Sequence, residues 1–286
     1  MGLRDEIVAK VSAVPALPVA ATKIINMLHD PQVGIAEAMR VIEYDPGLTS
    51  NVLRLANSAY FGRNKEIVSL REAGVRLGLN RVFQLVITSS ISAMASQPVR
   101  GYGLSPGELL EHAIGVAIAA EQLAEALGKK VPPHAFTTGL LHDLGKMVLG
   151  TFVEVDVKPI LDVAFQETVS FEVAEQRVLG IDHAEVGGIL LETWNLPASI
   201  VEGVRMHHNP LEVKGDNTFV TSLVHVADNL CLESGIGMGI DGLHYAPSPG
   251  VVEYLRLKPL TCEAVVCRML TQLDELRGVF EFKARR

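Results

Sequence analysis

The stretch Thr137-Thr138-Gly139-Leu140-Leu141-His142-Asp143-Leu144-Gly145-Lys146-Met147-Val148-Leu149-Gly150 sets three ionisable side chains inside an otherwise apolar run. Its pattern predicts one helix carrying Thr137 to Gly150, and charge in the core of a helical fold demands a partner. Neighbouring residues on a helix diverge by about 100°, yet side chains as different in reach as His142 and Asp143 can converge on one cluster of ions. Lys146 lies one turn beyond His142 on the same face, where it can meet an anionic substrate group. An isolated His-Asp dipeptide is ordinarily a hydrogen-bonded surface pair.

Here the dipeptide is not isolated. His112 sits among Leu109, Leu110, Ala113, Ile114 and Val116, and His183 precedes Ala184, Val186, Ile189 and Leu190, so both are expected to face inward. His207 and His208 close a further helix, and Asp228 lies on the next. Taken singly, each histidine reads as a core imidazole with a backbone partner, or as an imidazolium favoured at a helix C-terminus. Taken jointly, they read as ligands. Asp143 and Asp228, with Glu108 and a bridging hydroxide, bring about four negative charges, which match two divalent cations. Without ions the same buried groups cost several kcal/mol per charge. Mixed imidazole and carboxylate donors suit iron, manganese, zinc, nickel or cobalt. With no thiolate among them, a structural zinc finger is disfavoured.

Beyond these sites, apolar residues recur three and four apart, as in Leu3, Ile7, Val8 and Val11, and the fold class expected is all-α. Pro15, Pro18, Asp30-Pro31 and Asp45-Pro46 divide the first half into short helices. Ser69 to Glu72 and Ser105 to Glu108 have the form of capping boxes, the second opening a helix that runs to about Leu127 and stops at Gly128. Further helices fit Pro159–Glu167, Phe171–Leu179, His183–Trp194, Pro197–His208, Asn217–Glu233 and Thr261–Val279. The last is expected to pack on the body or on a second subunit. The glycine-rich segment Gly235 to Gly242 does not join a strand to a helix and reads as a connecting loop. The expected organisation is an N-terminal helical part at 1–100, a metal-binding helical part at 101–234, and a loop with a C-terminal helix at 235–286.

Composition narrows the function. A chain of 286 residues buries about 75% of its unfolded surface, and 20% charged residues are too few for disorder. The net charge is −8 and the only basic cluster is the Lys283/Arg285/Arg286 tail, which argues against nucleic acid. Three cysteines without CxxC spacing read as reduced packing residues. No apolar run reaches the ~20 residues of a membrane span and the N-terminus lacks a signal-peptide core, so a cytoplasmic location is expected.

His112, His142-Asp143 and Asp228, in that order, resemble the HD superfamily of metal-dependent phosphohydrolases, and HDLGK is a specific match. The added His183 and His207-His208 look like the ligand set of its dinuclear members, including the HD-GYP cyclic-di-GMP phosphodiesterases. Glu108 stands where some of those proteins supply an extra carboxylate; it reads equally as the capping residue. In the first half, Leu17-Pro18, Asp45-Pro46-Gly47-Leu48-Thr49, the run Leu53-Arg54-Leu55-Ala56-Asn57-Ser58-Ala59-Tyr60-Phe61-Gly62 and Ala73-Gly74-Val75-Arg76-Leu77-Gly78 are similar to the HDOD, or HD-related output domain, family. That resemblance covers residues ~10 to ~230 and implies an all-α, HD-type helical bundle behind an N-terminal helical part, with a role in bacterial signalling. After His207-His208 the chain reads Asn209-Pro210-Leu211-Glu212 and lacks the Gly-Tyr-Pro loop, which argues against cyclic-di-GMP as the substrate. Asn51 to Gly62 is read as packing rather than as a partner surface.

The resemblance implies two metal ions, iron or manganese before nickel, zinc or cobalt, held by His112, His142, Asp143, His183, His207, His208 and Asp228, with Glu108 as a possible addition. Asp143 would bridge them and Lys146 would pair with a phosphate oxygen of a nucleotide-type phosphoester. Two other functions stay open: a non-catalytic signalling or scaffold module with a structural or sensory metal site, and a di-iron oxygenase. The expected partners are a phosphoester small molecule or a signalling protein, and a homo-oligomer is compatible with both.

Overall fold

Short polar side chains and prolines set where the helices begin. The computed structural model describes residues 2–28, 34–58, 60–62, 66–153, 155–242, 245 and 247–280. The first half comprises α1 (Leu3–Val11), α2 (Val19–Leu28), α3 (Ile35–Glu43), α4 (Pro46–Ala56) and α5 (Leu70–Ala95). Asp45 caps α4 by accepting the Leu48 N–H at 2.9 Å, with Pro46 at the first helical position. Ser69 caps α5 by accepting the Glu72 N–H at 3.2 Å. Gly78 breaks α5 at φ 78°, a conformation glycine adopts without steric cost. The expected Asp30-Pro31 break, Ala59 and the Lys283/Arg285/Arg286 tail lie outside the described residues.

A 3-10 turn (Arg100–Tyr102) leads to α6 (Glu108–Ala126), α7 (Ala135–Leu141), α8 (Leu144–Met147), a π-helical turn (Val148–Val153), α9 (Lys158–Glu167), α10 (Phe171–Leu179), α11 (His183–Thr193), α12 (Ala198–Arg205), α13 (Asn217–Glu233), α14 (Pro249–Leu255) and α15 (Pro259–Phe280). No strand occurs among the described residues, so the fold is all-α as expected. None of the described helices is long and apolar enough to cross a membrane.

The centre of the second half is α6, in which Leu109, Leu110 and every residue from His112 to Ala124 are buried. A helix apolar on all sides must be enclosed, and α7, α13 and α15 enclose this one. Small residues let the helices approach closely: a Cβ on Gly139 of α7 would lie 2.9 Å from the Ala117 Cα of α6. From α15 the stripe Val265, Met269, Leu273 and Leu276 is buried, so this helix packs on the body. The first half joins the second at Glu121 of α6, which accepts from the Tyr60 hydroxyl at 2.6 Å and pairs with Arg81 at 2.9 Å. Tyr60 also stacks on Phe136, with centroids 6.0 Å apart, and Leu55, Ala56 and Phe61 are buried, so Asn51 to Gly62 packs against the body.

Three expected helices differ: the one expected over Pro197 to His208 ends at Arg205, which leaves His207 and His208 in the turn that follows. The helix expected from Ser105 begins at Glu108, because Gly107 takes a left-handed φ of 85°; Glu108 still reaches back to the Ser105 N–H at 2.6 Å. The helix expected over Thr137 to Gly150 is three pieces, since Asp143, at φ −101° and ψ 10°, leaves the helical region. The break re-aims Asp143 relative to His142. Gly145 then presses α8 onto α11 so closely that a Cβ there would lie 1.8 Å from the His183 carbonyl oxygen.

Gly145→Ala is therefore expected to lower stability by roughly 1–3 kcal/mol or more through overpacking. Gly278→Ala, whose added Cβ meets nothing within 4 Å, is expected to be neutral or stabilising by up to about 1 kcal/mol. Urea midpoints test both, and an unshifted midpoint for Gly145→Ala contradicts the close contact.

Candidate metal centre

Five helical segments deliver the cluster. His112 comes from α6, His142 and Asp143 from the break between α7 and α8, His183 from the first position of α11, His207 and His208 from the turn after α12, and Asp228 from α13. Asp182 fixes the start of α11 by accepting the Glu185 N–H at 2.7 Å, which places His183 at the helix entrance. His112, His142, Asp143, Lys146, His183, His207 and Asp228 are each no more than 3% exposed, and His208 is half-buried.

The geometry of each imidazole is set from behind. The Nδ1 atoms of His112, His142 and His207 face the carbonyl oxygens of Ile236 at 3.0 Å, Gly139 at 2.7 Å and Val204 at 2.7 Å. A carbonyl only accepts, so each Nδ1 carries a proton that it donates outward, and each Nε2 points inward. His183 follows the same rule with a carboxylate: its Nδ1 lies 2.6 Å from Glu175 Oε2, which also accepts its backbone N–H at 2.9 Å. This arrangement, with the outer nitrogen tied and the inner one aimed into the cluster, is the one metal-bound histidines adopt.

Inward, the donor atoms converge. Asp143 Oδ2 lies 3.5 Å from His112 Nε2 and 3.4 Å from His142 Nε2, while its Oδ1 lies 3.5 Å from His183 Nε2 and 4.0 Å from His207 Nε2. Asp228 Oδ1 is 3.0 Å from His112 Nε2 and 3.7 Å from His142 Nε2. Three groups hold ligand atoms within 4.8 Å of one another: His112, His142 and Asp228; His142, Asp143 and His207; and His183, His207 and His208. The Nε2 atoms of His112, His142 and His207 and one oxygen each of Asp143 and Asp228 are buried without completing a hydrogen bond. Buried polar atoms are otherwise almost always satisfied, so this donor set fits metal ions.

Electrostatics agrees. Burial works against the charged form of His142 and His183, yet Asp143 and Asp228 beside the first, and Glu175 beside the second, hold them up at about 10 and about 9. Burial and the cationic neighbours His142 and His183 push His207 well below its ordinary value. Against burial, His142 and Lys146 keep Asp143 well below the usual carboxylate range, and His112 and His142 do the same for Asp228. Without cations, protons on His142 and His183 thus neutralise the carboxylates.

Lys146 departs from expectation. It does not stand free for an incoming anion: its Nζ is 2.8 Å from Asp143 Oδ2 and 2.7 Å from Asp241 Oδ2. Glu108 belongs to none of the three groups, because its carboxylate is engaged at the entrance of α6. Two buried acids at the cluster escaped the sequence reading. Glu175 carried a readable signal, since it interrupts the apolar stripe Phe171, Ala174 and Leu179 of α10; the Tyr102 hydroxyl also donates to it. Asp241 carried none, because it lies in the glycine-rich loop.

Two outcomes follow. A raised histidine pKa stabilises the metal-free fold fully below pH ~6.5, and that contribution fades as pH rises through about 9 and 10. Cations compete for the same nitrogens, so metal affinity is expected to rise with pH, and binding at pH 7 to release roughly two protons. Calorimetry in buffers of differing ionisation enthalpy counts them, and zero released protons contradicts the assignment. Separately, Glu175→Gln is expected to weaken metal binding about 10–100-fold by loosening His183; an unchanged affinity contradicts its orienting role.

The chain and its fold resemble those of known proteins. The HDOD domain family matches over residues 14–210. An uncharacterised protein of Treponema pallidum (strain Nichols) is 28% identical over 209 residues, covering 72% of this chain; the chain spans about 40% of that relative's length. Among solved structures, an HDOD domain protein of unknown function from Geobacter sulfurreducens superposes with a TM-score of 0.72 at 27% identity, over 98% of this chain and 95% of that one. A candidate phosphohydrolase from Shewanella amazonensis SB2B shares the fold, with a TM-score of 0.72 at 22% identity over 96% of this chain and 97% of its own. With the family match spanning residues 14–210 and the same helical fold throughout, the chain belongs to the HDOD domain family.

Proposed function

We propose that this chain is a bacterial HDOD signalling protein whose His/Asp cluster binds two metal ions and hydrolyses a nucleotide-type phosphoester. The observation that carries the reading is the inward convergence of buried, unsatisfied Nε2 atoms and carboxylate oxygens on one point. His112, His142 and Asp228 form one donor set, and His183, His207 and His208 the other. Asp143 lies between them, with Oδ2 toward the first set and Oδ1 toward the second, as a bridging carboxylate requires. When bound, the ions would lower the pKa of a shared water and offset charge on phosphorus. The imidazole and carboxylate donors suit iron or manganese, with nickel, zinc and cobalt as further options.

The chain's own residues do the positioning. Lys146 grips Asp143 Oδ2 and so fixes the carboxylate in the orientation that spans both sets. Glu175 fixes the ring of His183, and the Tyr102 hydroxyl fixes Glu175. His208 Nε2 lies 2.8 Å from His183 Nε2, whose other nitrogen is committed to Glu175; the pair either shares one proton or faces a common cation. Burial of the cluster keeps bulk water away from any charge that develops there.

One observation favours a second reading, a non-catalytic sensory site. Lys146, the group best suited to an anionic substrate, is buried and already paired with two carboxylates. Turnover separates the two. The manganese- or iron-loaded chain, assayed against a panel of phosphomonoesters, phosphodiesters and cyclic dinucleotides, is expected to hydrolyse at least one. Asp143→Ala is expected to lose that activity by about a hundredfold or more. Equal rates for the two proteins remove the catalytic reading and leave the sensory one.

A further inference from the structure

Asp241 is 1% exposed, and its Oδ2 lies 2.7 Å from Lys146 Nζ. It is carried by the segment Gly235 to Gly242, where Gly235 at φ 73° and Gly237 at φ 65° turn the chain back over the cluster. The segment is fastened on both sides: the Ile236 carbonyl lies 3.0 Å from His112 Nδ1, and the Ile240 N–H donates to the Tyr102 carbonyl at 3.0 Å. Gly237 sits so near His112 that a Cβ there would lie 2.4 Å from the His112 Cβ. Lys146 Nζ is flanked by the Tyr245 ring at 5.3 Å and the Tyr102 ring at 5.9 Å. The segment therefore does more than connect two helices; it carries a carboxylate to the one buried lysine of the cluster.

Asp241 belongs to none of the groups that could hold an ion. Its partner is the lysine, and a phosphate oxygen would take the same place. We infer that Asp241 is an internal anion occupying Lys146 in place of an anionic ligand, and that it determines which anions the centre accepts. This rests on the metal-centre reading above. Asp143, Asp228, Glu175 and Asp241 supply four negative charges. Lys146 and two divalent ions supply five positive ones, and a bridging hydroxide closes the balance. With Asp241 in place the closed centre needs no further anion. With Asp241 withdrawn it carries a single positive charge, which matches a singly charged phosphodiester better than a doubly charged monoester. A dianion also meets stronger like-charge repulsion from Asp241 as it enters.

The test uses the full chain loaded with manganese, with dimethyl phosphate and inorganic phosphate as probes and calorimetry as the readout. Asp241→Asn keeps the shape and removes the charge. It is expected to bind both probes at least about tenfold more tightly than wild type, with unchanged metal content, and wild type is expected to prefer dimethyl phosphate. Unchanged or weaker probe binding with full metal content overturns the inference and leaves the metal centre standing. Loss of metal from Asp241→Asn also overturns it, since Asp241 would then help to hold the ions. If that variant does not fold, Gly239→Ala replaces it: the added Cβ would lie 2.4 Å from the Tyr102 carbonyl oxygen and 2.8 Å from Asp241 Oδ1, forcing the segment off. The same gain is expected, and no gain overturns the inference. A wild-type chain that takes up no metal removes the underlying reading first, and reduces Asp241 to a counter-charge for Lys146.

Discussion

Carboxylates and imidazole lone pairs aimed at one another in a dry interior repel, and only protons or cations between them make the arrangement tolerable. That requirement organises the second half of this chain. The metal-free fold meets it with protons on His142 and His183, held there by Asp143, Asp228 and Glu175. The outward hydrogen bonds of the same rings show what the arrangement is shaped for. Every Nδ1 tied to a carbonyl or to Glu175 leaves an Nε2 facing inward, where a proton is a stand-in and a metal ion is the fitting occupant.

Close packing gives the cluster its dimensions. Donor atoms from five segments fall into three overlapping groups, each within 4.8 Å, only if the helices behind them nearly touch. Glycine makes that possible: Gly139 lets α7 settle on α6, and Gly145 lets α8 settle on the first turn of α11. Without those contacts His142 and Asp143 would stand away from His112 and His183. Glu121, reached by Tyr60 and Arg81, ties the first half to the far part of the same central helix. Among the described residues, the first half thus bears on α6 without contributing to any of the three donor groups.

Much of this was legible in the residues. Helical periodicity and capping side chains indicated most of the helices, and α10 and α13 begin and end where the pattern placed them, whereas α14 falls where a loop was expected. Charged residues in apolar surroundings located His112, His142, Asp143, His183, His207 and Asp228, because desolvation makes such residues conspicuous. The break at Asp143 was hidden, since no proline marks it and Asp143, though of a type that caps helices, makes no capping hydrogen bond there; it goes with the seating of Gly145 on α11, a tertiary effect. Lys146 was found but its partner was not, because Asp241 is distant in sequence and sits among glycines without periodicity. Glu108 shows the opposite difficulty: one carboxylate had two local readings, and the Ser105 N–H engages it at the helix entrance.

The central claim is that the buried cluster is a binding site for metal rather than a network of protonated side chains. Elemental analysis of freshly purified wild-type chain, before and after incubation with manganese or ferrous iron, tests this most directly. The expected result is about two ions per chain, matching two donor sets joined by Asp143. A chain that arrives without metal and takes none up at micromolar concentrations contradicts it.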